Sequence, residues 1–342
     1  MLVLYPIRLL IFGVGIAAIA GTALNVYDPT NPNNPIRSLS AETEQSSEPK
    51  KILEHFKKKN SPSHLSLGKE LTSLKAKLQD LATKYPQLQP GAFFVDIDNG
   101  AYVNFNGETT FSAASTIKIP VLVAFFEDVD AGKIYLDEML TMEKELIAGG
   151  SGAMQYQKPG KKFTALETAT KMIVISDNTA TNMLIARLGG KEALNQRFRD
   201  WGLKVTVIRN PLPDLEGTNT TSPRDLSHLL ARVNQGELVS LRSRDRLLVI
   251  MRQTRTKTLL PKGLEKDAII AHKTGDIGSV LGDAGIVDMP NGKRYIGAAM
   301  VKRPHNDYSA RTLIQQISRA AYQHFKWYLP RPFAKKDVES GE

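Results

Sequence analysis

The chain contains no cysteine, which excludes a disulfide framework, a thiolate zinc site and a cysteine nucleophile. That absence leaves an oxidising compartment open and assigns stability to packing alone. None of the six histidines sits in an H-E-x-x-H string, and neither G-x-S-x-G nor a P-loop occurs, so the signatures of a zinc protease, an α/β-hydrolase and a nucleotide-phosphate binder are all missing. Long runs of one charge sign are absent too. The net charge is +10, yet 45 Lys and Arg are dispersed among 35 Asp and Glu, with Lys57-Lys58-Lys59 as a short run. Without a basic stripe, no nucleic-acid partner is expected. There is no internal repeat. With 342 residues, 42% of them apolar, the chain can form one large domain or two lobes around a well-buried core.

The first 27 residues decide the expected compartment. Leu9 to Val26 is uncharged and mostly apolar, preceded by Arg8 and followed by Asp28. A run of this length is close to the minimum for crossing a bilayer and exceeds the apolar region of an ordinary signal peptide. The charge bias places the first residues in the cytoplasm and the remainder outside it. A retained anchor is favoured over a signal cleaved at Ala18-Ile19-Ala20, and export follows from both. Residues 28–64, with Pro29, Pro32, Pro35, Pro49 and Pro62 among polar residues, read as a flexible tether. The expected location is therefore the membrane, with the globular part in the periplasm or otherwise outside the cytoplasm.

The globular part is expected at 65–328, followed by a polar tail at 329–342. Leu71, Leu74, Leu78, Leu81 and Tyr85 fall at helical spacing. Two strand-like runs, 92–97 and 101–105, flank Asp98-Asn99-Gly100, a hairpin signal. From Ser115 to about Ile270 the pattern is mostly helical. Strand signals return at 269–270, 284–287 and 295–301, and a last helix covers about 309–325. Strands at both ends with helices between them imply an antiparallel sheet closed by both ends of the chain, with a helical lobe inserted. The lobes divide as 65–111 with 265–328, and 112–264.

Three short strings stand in fixed order: Ser115-Thr116-Ile117-Lys118, Ser176-Asp177-Asn178 and Lys273-Thr274-Gly275. Together they supply a nucleophile, a proton shuttle and a cationic anchor for a carboxylate, the equipment of an acyl-transferring serine enzyme whose base is lysine. S-x-x-K also occurs at Ser47–Lys50 and Ser66–Lys69, so the ordered set carries the argument rather than any one string. Pro120 is tolerable in a helix's first turn, which puts Ser115 at a helix N-terminus and Lys118 one turn on. To act as a base, Lys118 must be neutral part of the time, by burial or by a neighbouring cation such as Lys273. Ser176-Asp177-Asn178 falls within the apolar helical stretch 166–188, either inside it or as a cap at a junction. Lys273-Thr274-Gly275 follows Ile269-Ile270-Ala271-His272 and so sits on a strand, where Gly275 would admit close approach of a ligand.

On these motifs and their surroundings the sequence resembles the class A β-lactamases and the wider penicillin-interacting serine hydrolases, from about Leu65 to Phe325. Gly150-Ser151-Gly152 before the second motif and His272 to Gly285 around the third belong to the likeness. The resemblance implies an α+β, two-lobed fold with a five-stranded antiparallel sheet and a site in the cleft. It implies Ser115 as acylated nucleophile, Lys118 as its base or proton relay, and Ser176 as proton donor to the leaving nitrogen. Asn178 would hold Lys118 and the substrate amide, and Lys273 and Thr274 would bind the substrate carboxylate. The backbone N–H groups of Ser115 and Asp276, just past Gly275, would form the oxyanion hole. No metal or organic cofactor is implied, and the expected partners are a β-lactam or cell-wall peptide and the membrane, with the protein a monomer.

One departure stands out. Class A enzymes carry a loop with E-x-x-x-N, whose Glu activates the water that frees the acylated serine. The corresponding stretch here, 205–223, is shorter, and Glu216 to Asn219 is one residue too close. Asp214 and Glu216 are the carboxylates available as a deacylation base. The expectation is a β-lactam-hydrolysing enzyme with slow deacylation. The alternatives are a D-Ala-D-Ala peptidase or esterase of the penicillin-binding type, and a non-catalytic wall-binding or sensor module.

Overall fold

The computed structural model describes residues 67–328. The apolar run at 9–26, the tether and the polar tail lie outside the described residues. Among the described residues, no helix is long and apolar enough to cross a membrane.

In chain order the first elements are α1 (Thr72–Thr83), β1 (Gln89–Asp96), β2 (Tyr102–Phe105) and β3 (Phe111–Ser112). A one-turn 3₁₀ segment, Ala114–Ile117, runs directly into α2 (Lys118–Asp130). Then come β4 (Met139–Thr141), β5 (Lys162–Thr164), α3 (Ala165–Val174), α4 (Asn178–Arg187), α5 (Gly190–Asp200) and β6 (Thr220–Thr221). The chain continues through α6 (Pro223–Gln235), α7 (Leu241–Arg252), β7 (Ile269–Asp276), β8 (Val280–Asp288), β9 (Arg294–Lys302) and α8 (Ser309–Trp327).

The main sheet has five strands in the order β2-β1-β9-β8-β7, antiparallel throughout. Pairing of β1 with β9 joins the two ends of the domain, as the strand pattern predicts. Asp96 ties the β1–β2 turn, its carboxylate accepting from Asp98 N at 2.9 Å and Asn99 Nδ2 at 3.0 Å. Side-chain alternation sends the two faces of the sheet into separate cores. Ala92, Phe94, Leu281, Tyr295, Ala299 and Val301 meet Leu74, Leu78 and Leu81 of α1 and Leu313, Ile317 and Phe325 of α8. Phe93, Val95, Ala271, Ala284, Ile286 and Ala298 meet the helical side, including α2, α6 and α7.

The segment 115–270 is mostly helical, as its pattern predicts. Two short ribbons, β3 with β6 and β4 with β5, interrupt it. They are two and three residues long, too short to show alternation. Within the apolar stretch 166–188 the polar triplet lies at a junction between two helices, with Asp177 as the cap of the second. The stretch breaks at Ile175–Asp177 because Ser176 adopts a left-handed backbone with φ of +57°.

Candidate active site

The nucleophile segment is wedged between α2 and the sheet. Ala113 N donates to Asn219 O at 2.7 Å and Thr116 Oγ1 donates to Ala113 O at 2.6 Å, pinning the entry to the 3₁₀ turn. Ala114, the residue before Ser115, has a left-handed φ of +47°. Such a conformation costs an L-residue about 1–3 kcal/mol and persists where surrounding structure over-determines it. Ser115 therefore lies in the 3₁₀ turn, and Lys118 is the first residue of the α-helix. A 3₁₀ turn eclipses positions i and i+3, which stacks the Lys118 side chain over Ser115. Ile119 to Phe126 is buried throughout, so α2 plants Lys118 in the core with no exposed surface.

The second motif arrives through the break between α3 and α4. Asp177 caps α4, accepting from Ala180 N at 3.0 Å, while its other oxygen accepts from Met154 N at 2.8 Å. Asn178 N donates to Ser151 O at 3.0 Å, and Asn178 Nδ2 donates to Gly149 O at 2.8 Å. The loop 149–154 is thus clipped onto the motif. Gly152 has φ of +95°, and a Cβ there would fall 2.2 Å from the Asp177 carboxylate carbon, so the approach requires glycine.

These two segments bring Ser115, Lys118, Ser176 and Asn178 together. Lys118 Nζ lies 3.1 Å from Ser115 Oγ, 3.0 Å from Ser176 Oγ, 2.6 Å from Ser176 O and 2.8 Å from Asn178 Oδ1. The two serine hydroxyls are 3.0 Å apart. Four oxygens exceed the three protons of an ammonium. The Ser176 carbonyl and the Asn178 amide oxygen can only accept, the latter fixed by the Nδ2 bond to Gly149. A neutral amine gives its two N–H groups to them and keeps a lone pair for the hydroxyl of Ser115. Burial, then the charge of Lys273, holds Lys118 well below the ordinary lysine value, against a smaller opposing pull from Asp177.

The third motif is on β7, packed against the 3₁₀ turn. Lys273 is buried, and its Nζ donates to Thr274 O at 2.8 Å. Burial lowers its pKa to about 8, opposed by the Asp283 carboxylate. A Cβ on Gly275 would lie 2.9 Å from Ser115 N and 3.0 Å from both Ala114 Cβ and Thr116 N. These atoms are backbone or rigidly attached to it, so they cannot swing aside. Gly275→Ala should therefore push β7 off the nucleophile and slow acylation of Ser115 by at least about tenfold, as a small misplacement of reacting groups does. Acylation rates measured beside an unfolding curve separate this from loss of the fold. Asp276 turns its side chain away, accepting from Gly278 N at 2.9 Å and pairing with Arg303, whose Nε also donates to Gly278 O at 2.8 Å.

Among the described residues, neither candidate deacylation base is hydrogen-bonded to Ser115, Lys118 or Ser176. Asp214 is buried, its oxygens accepting from Thr218 Oγ1 at 2.8 Å and Asn219 N at 2.6 Å. It braces the loop, and the same Asn219 receives Arg209 N and Asn210 N on its side-chain oxygen. Glu216 is exposed. Asp214→Ala should cost about 1–3 kcal/mol of stability in denaturant unfolding by leaving buried donors unpaired.

Sequence reasoning missed Arg303, the left-handed Ala114 and the pair of His272 with Asp283 behind β7. No local signal marks any of them. Glycines 150 and 152 signalled a close approach at the second motif, but not its target, Asp177.

A serine hydroxyl shared between a buried lysine amine and a second serine, with a buried cation on the adjoining strand, defines an acyl-transferring serine hydrolase. Residues 73–325 match the beta-lactamase enzyme family, and the chain belongs to that family. It is 58% identical to the solved structure of PBP-A, with a TM-score of 0.75 over 76% of this chain and 98% of that one. The values are the same for a variant of PBP-A solved as its acyl-enzyme complex with penicillin G. A beta-lactamase of Streptomyces fradiae is 28% identical over 67% of this chain and 79% of its own length.

Proposed function

We propose that the protein is acylated at Ser115 by β-lactams, opening the lactam amide, and releases the acyl group slowly. The observation that carries the reading is the Ser115–Lys118–Ser176 cluster, in which a buried amine sits 3.1 Å from the nucleophile with its N–H groups already engaged. Lys118 takes the Ser115 proton as the oxygen attacks the lactam carbonyl. Ser176, within 3.0 Å of both, returns it to the leaving nitrogen. The N–H groups of Ser115 and Asp276 receive the developing oxyanion, and Lys273 with Thr274 binds the substrate carboxylate. Slow release is supported by the loop, where Asp214 is spent on Thr218 and Asn219 and Glu216 faces solvent.

A D-Ala-D-Ala peptidase is the second reading, since it needs the same acylation machinery and the same loop disfavours rapid lactam hydrolysis. Turnover of a cell-wall peptide faster than a penicillin would select it. The apolar run with its Arg8/Asp28 asymmetry supports a membrane-tethered, exported protein. Recovery of the full-length protein in a cytosolic fraction would oppose this.

The two lysines set the pH profile with opposite signs. Lys118 must be neutral, so acylation rises as pH climbs through its depressed pKa. Lys273 must be charged to hold a carboxylate, so acylation by penicillin G should fall above about 8. A neutral activated ester should keep the acid limb and lack the alkaline one. Lys273→Ala should slow penicillin acylation about ten- to a hundredfold, the value of a charge-assisted hydrogen bond, with much less effect on the ester. Equal losses on both substrates would assign Lys273 a role through Lys118 or the fold.

A further inference from the structure

Among the described residues, neither Lys273 nor Lys118 forms an ion pair within 4.0 Å. Across the strand the situation differs. His272 and Asp283 share the opposite face of β7 and β8, both with no exposed surface. His272 Nδ1 lies 2.9 and 3.1 Å from the two Asp283 oxygens, and Leu260 N donates to the same carboxylate at 3.1 Å. Asp283 pairs in register with Thr274, the residue next to Lys273. A carboxylate accepts, so Nδ1 carries the ring proton, leaving Nε2 buried without a hydrogen-bond partner. Two donors and complete burial make Asp283 a fixed acceptor group, in register with the residue next to the substrate-facing lysine.

Resting on the acyl-enzyme reading above, we propose that Asp283, held by His272, is a positioning residue that acts through Lys273 as its buried counter-charge and keeps it cationic for the substrate carboxylate. Interactions across a desolvated sheet are weakly screened, so the charge is felt although the two side chains project from opposite faces. Asp283 is the group that opposes the downward pull of burial on Lys273. The other charged groups around this lysine cannot take that part. Lys118 on α2 is a like charge; Asp276 at the end of β7 is paired with Arg303; Arg252, on the adjacent α7, is paired with Asp288. The effect passes one step further, because a charged Lys273 helps to hold Lys118 neutral.

The test follows acylation of the full chain by penicillin G and by a neutral activated ester from about pH 6 to about pH 10, spanning the lysine range. The proteins are wild type, Asp283→Asn, Lys273→Arg and the double variant. Asp283→Asn should move the alkaline limb for penicillin down by about one pH unit, leaving rates about tenfold lower above it and the ester unchanged. In the Lys273→Arg background the same substitution should move nothing, because guanidinium keeps its proton throughout. An unmoved limb, or an equal loss at every pH on both substrates, overturns the proposal. Should Asp283→Asn fail to fold, ¹⁵N spectra of wild-type His272 decide. A step in its ring signals where Lys273 titrates, absent in Lys273→Arg, supports the coupling, and a flat response overturns it. Wild-type protein that no penicillin acylates would sink the acyl-enzyme reading itself, and the substrate-free spectra would still decide for or against Asp283.

Discussion

Ser115→Ala should abolish covalent labelling by a reporter penicillin, while Ser47→Ala and Ser66→Ala should leave it unchanged. All three serines open an S-x-x-K string, and Ser115 alone stands at a predicted helix start in the ordered set of three motifs. Ser115 differs in its surroundings: its hydroxyl lies 3.1 Å from the amine of Lys118 and 3.0 Å from Ser176 Oγ. The loss should be complete because an acyl-enzyme cannot form without the oxygen that carries it. Labelling is read by intact-protein mass and by mapping the modified peptide. Undiminished labelling of Ser115→Ala would remove the nucleophile from the account.

Lys118→Met should slow acylation by about 10²–10⁴-fold, the usual contribution of a positioned general base. Methionine fills similar volume, so the fold around α2 is retained better than with alanine. The substitution leaves Ser176 O and Asn178 Oδ1 without the amine that bonds them at 2.6 and 2.8 Å. An unfolding curve must therefore accompany the kinetics. The informative signature is the pH profile: the acid limb, set by protonation of Lys118, should disappear from what activity remains. A surviving acid limb would assign it to another group.

Most of the fold was legible because its elements are locally consistent. Leu74, Leu78 and Leu81 mark α1 by spacing, Asp98-Asn99-Gly100 marks the β1–β2 turn, and apolar signals at 295–301 mark nearly all of β9 but at 269–270 and 284–287 only parts of β7 and β8. The site was legible as residue types in order, and the structure brings Ser115, Lys118, Ser176 and Asn178 of the first two strings into one hydrogen-bonded cluster, with Lys273 on the strand packed against it. What sequence could not supply is backbone strain and long-range contact. Asp177 signals a helix start locally, but the left-handed Ser176 is held by Ser151 O and Met154 N, which bond Asn178 and Asp177 from a separate loop. Ala114 takes its left-handed turn for a similar reason, with Asn219 O fixing its neighbour from the loop before α6. Asp214 looked as available as Glu216 because both stand in a proline-rich polar segment. Its burial depends on Thr218 and Asn219 folding back over it.

Ser115 should be acylated readily and freed slowly, and intact-protein mass spectrometry over time, after mixing the protein with excess penicillin G, reads both steps. The account predicts a burst of one equivalent, a mass increase equal to the whole penicillin on the peptide containing Ser115, and an adduct that outlasts its own formation by a wide margin. Rapid consumption of penicillin with no accumulated adduct would contradict it, and would mean that a base in or near the 205–223 loop does reach the acyl-enzyme.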